Sequence, residues 1–297
     1  MSTGTRAAMA VVALLALFPS KAAAQTGAQT PAQTPAPSDP NRGYVTLSGG
    51  FDLANAYMFR GLRQDDTRLI MWPSADAGFR LASDANGASR AVLHVGSWNS
   101  LHTGFTGSAG PTQRLWYESD FYTTLAFAVV PGIGVGATYT AYTSPNSSFS
   151  TVKELSFKVA ADESIASTGA PFAPYALIAF ELDTHPGLGQ ADGGQRAGTY
   201  LEVGAAPKWP GMPIDVAFPI RVGLSLRDYY ELAGIDHRFG FLSLGARASV
   251  PIVRTSNYGA WNVHGEVDFL SLGDTPEAFN AGEQNKIVAS VGIGFSY

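Results

Sequence analysis

Cysteine is absent from this 297-residue sequence, which excludes disulfide bonds and cysteine-based metal or redox sites. Charge is scarce too, because Asp, Glu, Lys and Arg make up 14% of the residues, against about 25% in an average globular protein. After the first residues, no apolar run reaches the roughly 18 residues of a membrane-spanning helix. The net charge of −5 disfavours nucleic acid as a partner. With 33 glycines and 11% aromatic residues, this composition favours a β-barrel.

The amino terminus has the three parts of a secretory signal peptide. Arg6 provides a positive charge, residues 7–17 form a short apolar segment, and residues 22–24 form a small-residue cleavage site. We predict a signal peptide over residues 1–24, cleaved before Gln25, and export across the inner membrane. Residues 25–42 repeat Ala-Gln-Thr-Pro and have little to bury, so we predict a disordered linker that serves as a tether or binds a partner.

The clearest pattern lies at the carboxyl terminus. From Ile287 onward every second residue is apolar or aromatic, up to Phe295 and Tyr297, and the residues between them are small or polar. A period of two predicts a half-buried strand. The ending resembles the C-terminal signature of bacterial outer-membrane barrels. In such a barrel the last strand pairs with the first and leaves no edge, so we predict that this strand closes the barrel.

From Tyr44 onward, eleven further segments of about ten residues alternate in the same way, and about ten residues is the length that a tilted strand needs to cross a bilayer. Their charges fall on the face opposite the apolar one, as lipid contact requires, because a charge at mid-membrane costs about 2–4 kcal/mol. Long and short connections mostly alternate, as extracellular loops and periplasmic turns do. We predict an all-β, transmembrane, antiparallel up-and-down barrel of twelve strands over residues 43–297, with both termini in the periplasm.

The inward-facing charges are the candidates for lining a pore. They are Asp52, Asp76, Arg80, Glu118, Asp120, Glu154, Lys158, Glu181, Glu202, Arg221, Arg227, Arg247, His264, Glu266 and Asp268. Basic residues of the ninth and tenth strands could face an acidic arc across the lumen and select solutes by charge. The same charges could instead pair with one another and fill a narrow interior.

Aromatic residues near the strand ends predict girdles at the two membrane surfaces. The residues assigned to these girdles are Tyr44, Tyr57, Phe59, Trp98, Trp116, Tyr142, Trp261 and Tyr297.

A short motif follows the first strand, formed by Tyr57, Phe59, Arg60, Gly61 and Gln64. Its pattern, Tyr-x-Phe-Arg-Gly-x-x-Gln, resembles the Ser-x-Tyr-x-Phe-Arg-Gly-x-Ser-Gln motif of the proteobacterial TorF-like, or Gcw_chp, porin family. Residues 95–100, Val-Gly-Ser-Trp-Asn-Ser, resemble the segment that follows in that family. The resemblance implies an outer-membrane barrel that acts as a porin, and it implies no substrate and no catalytic residue.

The chain departs from the family motif at two positions, where Asn55 and Arg63 replace serines. From the residues themselves, we expect Gly61 to allow a tight turn. Tyr57 and Phe59 are expected to pack at the membrane surface. Arg60 is expected to pair with a carboxylate or to line the mouth of the barrel.

Three functions stay open. The favoured hypothesis is a pore for passive diffusion of small polar solutes, and the second is a closed barrel with a structural or adhesive role through its extracellular loops. The third is a lipid-modifying barrel enzyme using Ser100 and His102, which fall in the predicted loop after the third strand without a Gly-x-Ser-x-Gly elbow.

We predict no catalytic site, metal or cofactor. His264, Glu266 and Asp268 share one strand face, where a metal or acid–base site is conceivable, but hydrogen bonds to neighbours are the more common use of such a set. The predicted partners are outer-membrane lipids and lipopolysaccharide, the barrel-assembly machinery through the C-terminal strand, and small polar solutes.

Overall fold

The computed structural model describes residues 43–84, 89–106, 114–162, 172–182, 196–209, 214–253 and 259–297. Its strands are β1 (Val45–Ala54), β2 (Tyr57–Phe59), β3 (Leu62–Asp65), β4 (Ile70–Ser83), β5 (Ser89–His102), β6 (Trp116–Val130), β7 (Ile133–Thr143), β8 (Val152–Ala161), β9 (Tyr175–Glu181), β10 (Thr199–Ala205), β11 (Lys208–Trp209), β12 (Asp215–Ala217), β13 (Ile220–Arg227), β14 (Glu231–Leu232), β15 (Ile235–Asp236), β16 (Phe239–Val253), β17 (Ala260–Leu272) and β18 (Asn285–Ser296). A short helix, α1 (Asp274–Phe279), precedes β18. The predicted signal peptide and linker lie outside the described residues.

The long strands pair antiparallel with their neighbours in the order β1-β4-β5-β6-β7-β8-β9-β10-β13-β16-β17-β18, and β18 pairs back onto β1. The short strands β11 and β12 continue β10 and β13 beyond bends, and the β12–β13 bend contains Pro219, which cannot donate to a ladder. The pairs β2–β3 and β14–β15 are separate hairpins. The chain therefore forms a closed, twelve-stranded antiparallel barrel, as predicted.

The last residue takes part in the closure. Tyr297 donates its backbone N–H to the Leu47 carbonyl oxygen over 2.7 Å and accepts from the Leu47 N–H over 2.6 Å. Further along the ladder, Asp52 of β1 lies opposite Gly292 of β18. Because this ladder joins the two ends of the sheet, no strand edge is left open there.

The outer face of the barrel is apolar and exposed. Phe121 and Ile287 on this face are 58% and 60% exposed, whereas the inward-facing Asp120 next to Phe121 is 2% exposed. A water-soluble monomer rarely exposes a contiguous apolar belt, whereas a barrel in a bilayer requires one. The outer face is therefore the kind of surface that contacts lipid. None of the described residues forms a helix that is long and apolar enough to cross a membrane.

Half of the predicted girdle is in fact inside the barrel. Tyr57, Phe59 and Trp98 are 2% exposed and Tyr142 is 1% exposed, so their assignment to a membrane surface is wrong. Trp98 has the same strand parity as the inward-facing His94, and this parity turns its ring inward. The other four residues of the predicted girdle, Tyr44, Trp116, Trp261 and Tyr297, are exposed.

The β1–β18 seam can be tested with Gly292→Ala. A Cβ at Gly292 would lie 2.7 Å from the Phe51 carbonyl oxygen and would collide with the Asp52 carboxylate. We expect the substitution to destabilise the barrel by about 1–3 kcal/mol, measured as an earlier loss of heat-resistant, compact migration in electrophoresis. Gly265→Ala on β17 is the matched control, because the nearest atom to its Cβ is 3.5 Å away. Equal transition temperatures for the two variants would contradict the described seam.

Candidate functional site

The connection between β1 and β4 folds into the barrel. Its strands β2 and β3 pair with Phe59 opposite Leu62, which leaves Arg60 and Gly61 as a two-residue turn. Both turn residues have positive φ angles, 48° and 86°. A type I′ hairpin turn requires this conformation, and glycine at its second position adopts it without strain. We call residues 57–65 the plug hairpin, and the barrel end at which β1 ends and β18 begins the loop end; the opposite end is the terminal end.

Alternate side chains of the plug hairpin contact opposite parts of the barrel wall. Tyr57 and Phe59 belong to a buried cluster with residues of β1 and β4–β8, namely Ala54, Ile70, Trp72, Trp98, Tyr117, Tyr142 and Val152. Met58 and Leu62 belong to a second cluster with residues of β9, β10, β16, β17 and the β13–β14 connection, namely Leu177, Ala179, Tyr200, Phe241, Leu270, Leu272, Tyr229 and Tyr230. The hairpin therefore fills the barrel cross-section at this level with packed, dry side chains.

The tip of the plug hairpin is held by a buried ion pair. Arg60 donates from Nη1 to Glu154 Oε2 over 2.6 Å and from Nη2 to Glu154 Oε1 over 2.8 Å, and the two residues are 4% and 2% exposed. Its guanidinium also lies 4.1 Å from the centre of the Tyr200 ring and donates to the Tyr229 hydroxyl over 2.9 Å. Burial alone would lower the pKa of Arg60, but the Glu154 carboxylate raises it well above its ordinary value. The tip is therefore charged and fixed by two parallel bonds.

The backbone of the turn is satisfied by two other connections at the loop end. The Tyr230 hydroxyl donates to the Arg60 carbonyl oxygen over 2.8 Å. Asn280, just after α1, donates from Nδ2 to the Gly61 carbonyl oxygen and accepts from the Arg63 N–H, both over 2.8 Å. Burial raises the pKa of Tyr230, which keeps its hydroxyl a neutral donor. Sequence reasoning missed Tyr229, Tyr230 and Asn280.

Ser100 and His102 lie on β5, which extends to His102, and the prediction of a loop at these residues is wrong. Ser100 Oγ is 2.7 Å from His102 Nε2, and His102 Nδ1 is 3.2 Å from Asp65 Oδ2 on the plug hairpin. This order of groups resembles a nucleophilic triad. Ser100 is 0% exposed, however, and its Oγ accepts a hydrogen bond from Trp72 Nε1. In this conformation no substrate can reach it, and the three groups tie β5 to the hairpin.

Asp65 anchors the base of the plug hairpin. Thr67 donates to Asp65 Oδ1 from its backbone N–H over 2.9 Å and from its hydroxyl over 2.7 Å. Burial alone would raise the pKa of Asp65, but His102 and the Thr67 donors outweigh it and lower the pKa to about 2. Nearby, Gln64 of the family-like motif accepts a hydrogen bond from the Tyr117 hydroxyl over 2.6 Å. The motif is thus used to build and dock the hairpin.

Toward the terminal end, below the plug hairpin, the inner wall is polar. We call this part of the lumen the vestibule. Four of its carboxylates pair with basic side chains of neighbouring or nearby strands: Asp268 with Arg221, Glu266 with Arg247, Asp52 with His264, and Asp76 with His94. Arg221 and Arg247, of the predicted ninth and tenth strands, therefore pair with acids of β17 and do not face an acidic arc across the lumen.

The remaining candidates occupy different environments. Glu118 and Asp120 are each 2% exposed on β6. Glu181 accepts from the Gly198 N–H over 2.7 Å at the loop end. Arg227 does not line the interior, because its side chain is 69% exposed next to Asp228.

Three further candidates lie on the inner wall. Arg80 is on β4 with the parity of Asp76. Glu202 accepts from the hydroxyls of Tyr175 and Tyr200, both over 2.6 Å, and Lys158 lies over the Tyr175 ring. Among the described residues, no three His, Cys, Asp or Glu side chains are grouped so that they could hold a metal ion.

Similar architectures occur among solved structures. The NanC porin aligns over 84% of this chain and 98% of its own, with 10% identity and a TM-score of 0.43. The COG4313 outer membrane channel from Pseudomonas putida F1 aligns over 92% and 100%, with 8% identity and a TM-score of 0.47. No family model and no curated protein matches the sequence. The resemblance to the TorF-like family therefore stays a prediction.

The Arg60–Glu154 pair can be tested with a double-mutant cycle. Arg60→Met leaves a buried carboxylate without its cation and Glu154→Gln leaves a buried guanidinium without its anion, so we expect each single variant to lose about 3–5 kcal/mol in the free energy of unfolding. The double variant Arg60→Met with Glu154→Gln removes both charges and should recover most of that loss. Urea titration of the refolded barrel, followed by tryptophan fluorescence, measures both. Additive effects without coupling would show that the two side chains do not interact as described.

Proposed function

We propose that this protein is a channel of the bacterial outer membrane for passive diffusion of small polar solutes, and that the plug hairpin closes it in the conformation described. The observation that carries the proposal is the division of the interior. A packed apolar plug blocks the loop end, and a wall of paired charges lines the vestibule below it. A barrel with a purely structural role has no need for a polar, water-accessible half.

The outer-membrane location is supported by the barrel itself. Its exposed apolar face suits contact with lipid and lipopolysaccharide, and its closed sheet leaves no edge at the seam. The predicted signal peptide provides the export that an outer-membrane location needs. The C-terminal strand, with its terminal aromatic, is the segment through which assembly machinery would recognise the chain. With an even strand number both termini lie on the same side, which for an exported chain is the periplasm.

Opening requires the plug hairpin to leave the lumen. The hairpin is one segment between β1 and β4, so it can move as a unit without breaking the barrel sheet. Its contacts are two apolar clusters, the buried Arg60–Glu154 pair, the His102–Asp65 contact, partly exposed pairs of Arg63 with Asp66 and Glu283, and a few hydrogen bonds. The vestibule would then open to the loop end through a passage lined by the aromatic and aliphatic side chains that the hairpin now covers.

The second candidate is a closed barrel that acts through its extracellular loops. The observation that favours it is the completeness of the packing around the plug hairpin, which leaves no apolar face of the hairpin unpaired. Both candidate functions predict that the wild-type barrel passes no current. They differ in what happens when the hairpin is removed.

The test compares the wild-type barrel with a plugless variant in which residues 57–65 are replaced by nine Gly and Ser residues. Each is refolded without residues 1–24, inserted into a planar bilayer, and recorded at the single-channel level. We expect the plugless variant to show stepwise conductance at least about tenfold above wild type, because its cross-section is no longer filled. Arg196→Ala is the control, since this loop-end side chain is 77% exposed and lies outside the plug.

Folding and insertion are checked by heat-resistant migration and protease protection. If the plugless chain does not fold, the variant Arg60→Met with Glu154→Gln should give more frequent openings than wild type. A folded, inserted plugless barrel that passes no current would support the structural alternative. A wild-type conductance equal to that of the plugless barrel would show that the hairpin does not close the channel.

A further inference from the structure

Lys158 lacks the kind of ion pair that Arg221 and Arg247 make on the vestibule wall. Lys158 faces inward on β8, four positions along the strand from Glu154. Arg221 and Arg247 pair with Asp268 and Glu266, whereas no carboxylate among the described residues lies within ion-pair distance of the Lys158 ammonium. Its side chain is only partly buried. Lys158 is therefore an inward-facing cation without an ion pair among the described residues.

The ammonium is held in place by an aromatic platform. Lys158 Nζ lies 4.4 Å from the centre of the Tyr175 ring. Gly204 lies opposite Tyr175 on β10, and a Cβ at Gly204 would be 2.5 Å from the Tyr175 ring. The ring can lie in this position only because residue 204 is glycine. A cation over a ring face is stabilised by the ring and still has its three N–H donors free.

The nearby carboxylate does not occupy those donors. Glu202 accepts from the Tyr175 hydroxyl with Oε1 and from the Tyr200 hydroxyl with Oε2, each over 2.6 Å. Glu202 therefore stabilises the platform, and its two oxygens are already engaged. On the other side of Lys158, the cross-strand partner is Gly136, and the nearest atom to a Cβ there would be 3.7 Å away. Residue 136 therefore places no side chain beside Lys158 on β7.

The position of Lys158 lies directly below the plug. Tyr200, which donates to Glu202, also carries the Arg60 guanidinium on its ring face at 4.1 Å. The series of contacts Lys158–Tyr175–Glu202–Tyr200–Arg60 thus runs from the vestibule wall to the hairpin tip. A solute that crosses the barrel passes this point as it reaches the level of the plug.

From this geometry we propose that Lys158, on its Tyr175–Gly204 platform, is a binding point for the oxyanion group of a small solute, a carboxylate or a phosphate. The inference rests on the proposed channel function and names its solute class. An ammonium with free donors is a point charge that binds either group. Since Arg221 and Arg247 are already paired with carboxylates, we assign the preference for anions to Lys158.

The experiment uses Lys158→Gln and Lys158→Arg, with Lys153→Gln as the matched control, because Lys153 is an exposed lysine on the opposite face of the same strand. Reversal potentials of the plugless barrel are measured in a KCl gradient, followed by titration with succinate and with inorganic phosphate. We expect Lys158→Gln to lower the chloride-to-potassium permeability ratio and to weaken block by either anion by about tenfold. Lys158→Arg and Lys153→Gln should stay near the parent values.

A second readout needs no open channel. Millimolar succinate or phosphate should raise the thermal midpoint of the wild-type barrel and of Lys158→Arg, and should leave Lys158→Gln unchanged. Equal shifts of the thermal midpoint with succinate and with phosphate would indicate recognition of the negative charge alone. A shift with only one of them would identify the group that is recognised. Both outcomes support the proposal.

The failures of the two proposals are distinguishable. A plugless barrel that passes no current overturns the channel function, while the shifts of the thermal midpoint still report anion binding at Lys158. A conducting plugless barrel whose selectivity, anion block and thermal midpoint are unchanged in Lys158→Gln overturns the anion-binding point and leaves the channel intact.

Discussion

The bidentate ion pair between Arg60 and Glu154 fixes the state in which this barrel is found. A buried ion pair contributes little net stability by itself, because both groups lose their hydration. The energy that keeps the plug hairpin inside comes from the burial of Tyr57, Phe59, Met58 and Leu62 against the wall. Apolar contacts alone leave the depth and rotation of a hairpin poorly defined. The two parallel bonds of Arg60, with the donors from Tyr230 and Asn280 to the turn, select one position.

The interior is consequently divided into two halves that differ in polarity and packing. Around the plug hairpin the inward side chains are aromatic and aliphatic, with charges such as Glu154 enclosed among them, and the packing excludes water. Toward the terminal end the inward side chains are charged and paired, and solvent reaches several of them. A dry, packed barrier stops ions much better than a polar one of the same width. The polar half keeps solutes hydrated up to the barrier, and the Lys158 platform stands where the two halves meet.

Much of the fold could be predicted from sequence, because a period of two directly records which side of a strand faces lipid. The twelve strands and the closing role of the C-terminal strand follow from that period. The same parity would also have placed Trp98 and Tyr142 inside, since they lie on the same strand faces as His94 and Thr140. The candidate site was harder to foresee. An apolar loop such as residues 57–62 is equally suited to a membrane surface and to a lumen, and alternation says nothing about which of these it occupies. The Arg-Gly turn between Tyr-Met-Phe and Leu was a signal for a hairpin, and the adjacent Tyr229 and Tyr230 in a loop were a signal for a buried partner. Charge pairing was unpredictable for a different reason, because it depends on the register between strands.

The central claim is that the plug hairpin lies inside the folded barrel, and single-cysteine labelling tests it most directly. The natural sequence has no cysteine, so an introduced thiol is the only one present. Met58→Cys places it on the plug hairpin, where Met58 is 6% exposed, and Arg196→Cys places it on the exposed rim. Both variants are reacted, as barrels in lipid vesicles, with a membrane-impermeant maleimide. The account predicts that the thiol at position 58 reacts at least about tenfold more slowly than the one at position 196, because reaction requires the hairpin to undock. Equal rates in folded barrels would contradict it and would place the hairpin outside the lumen.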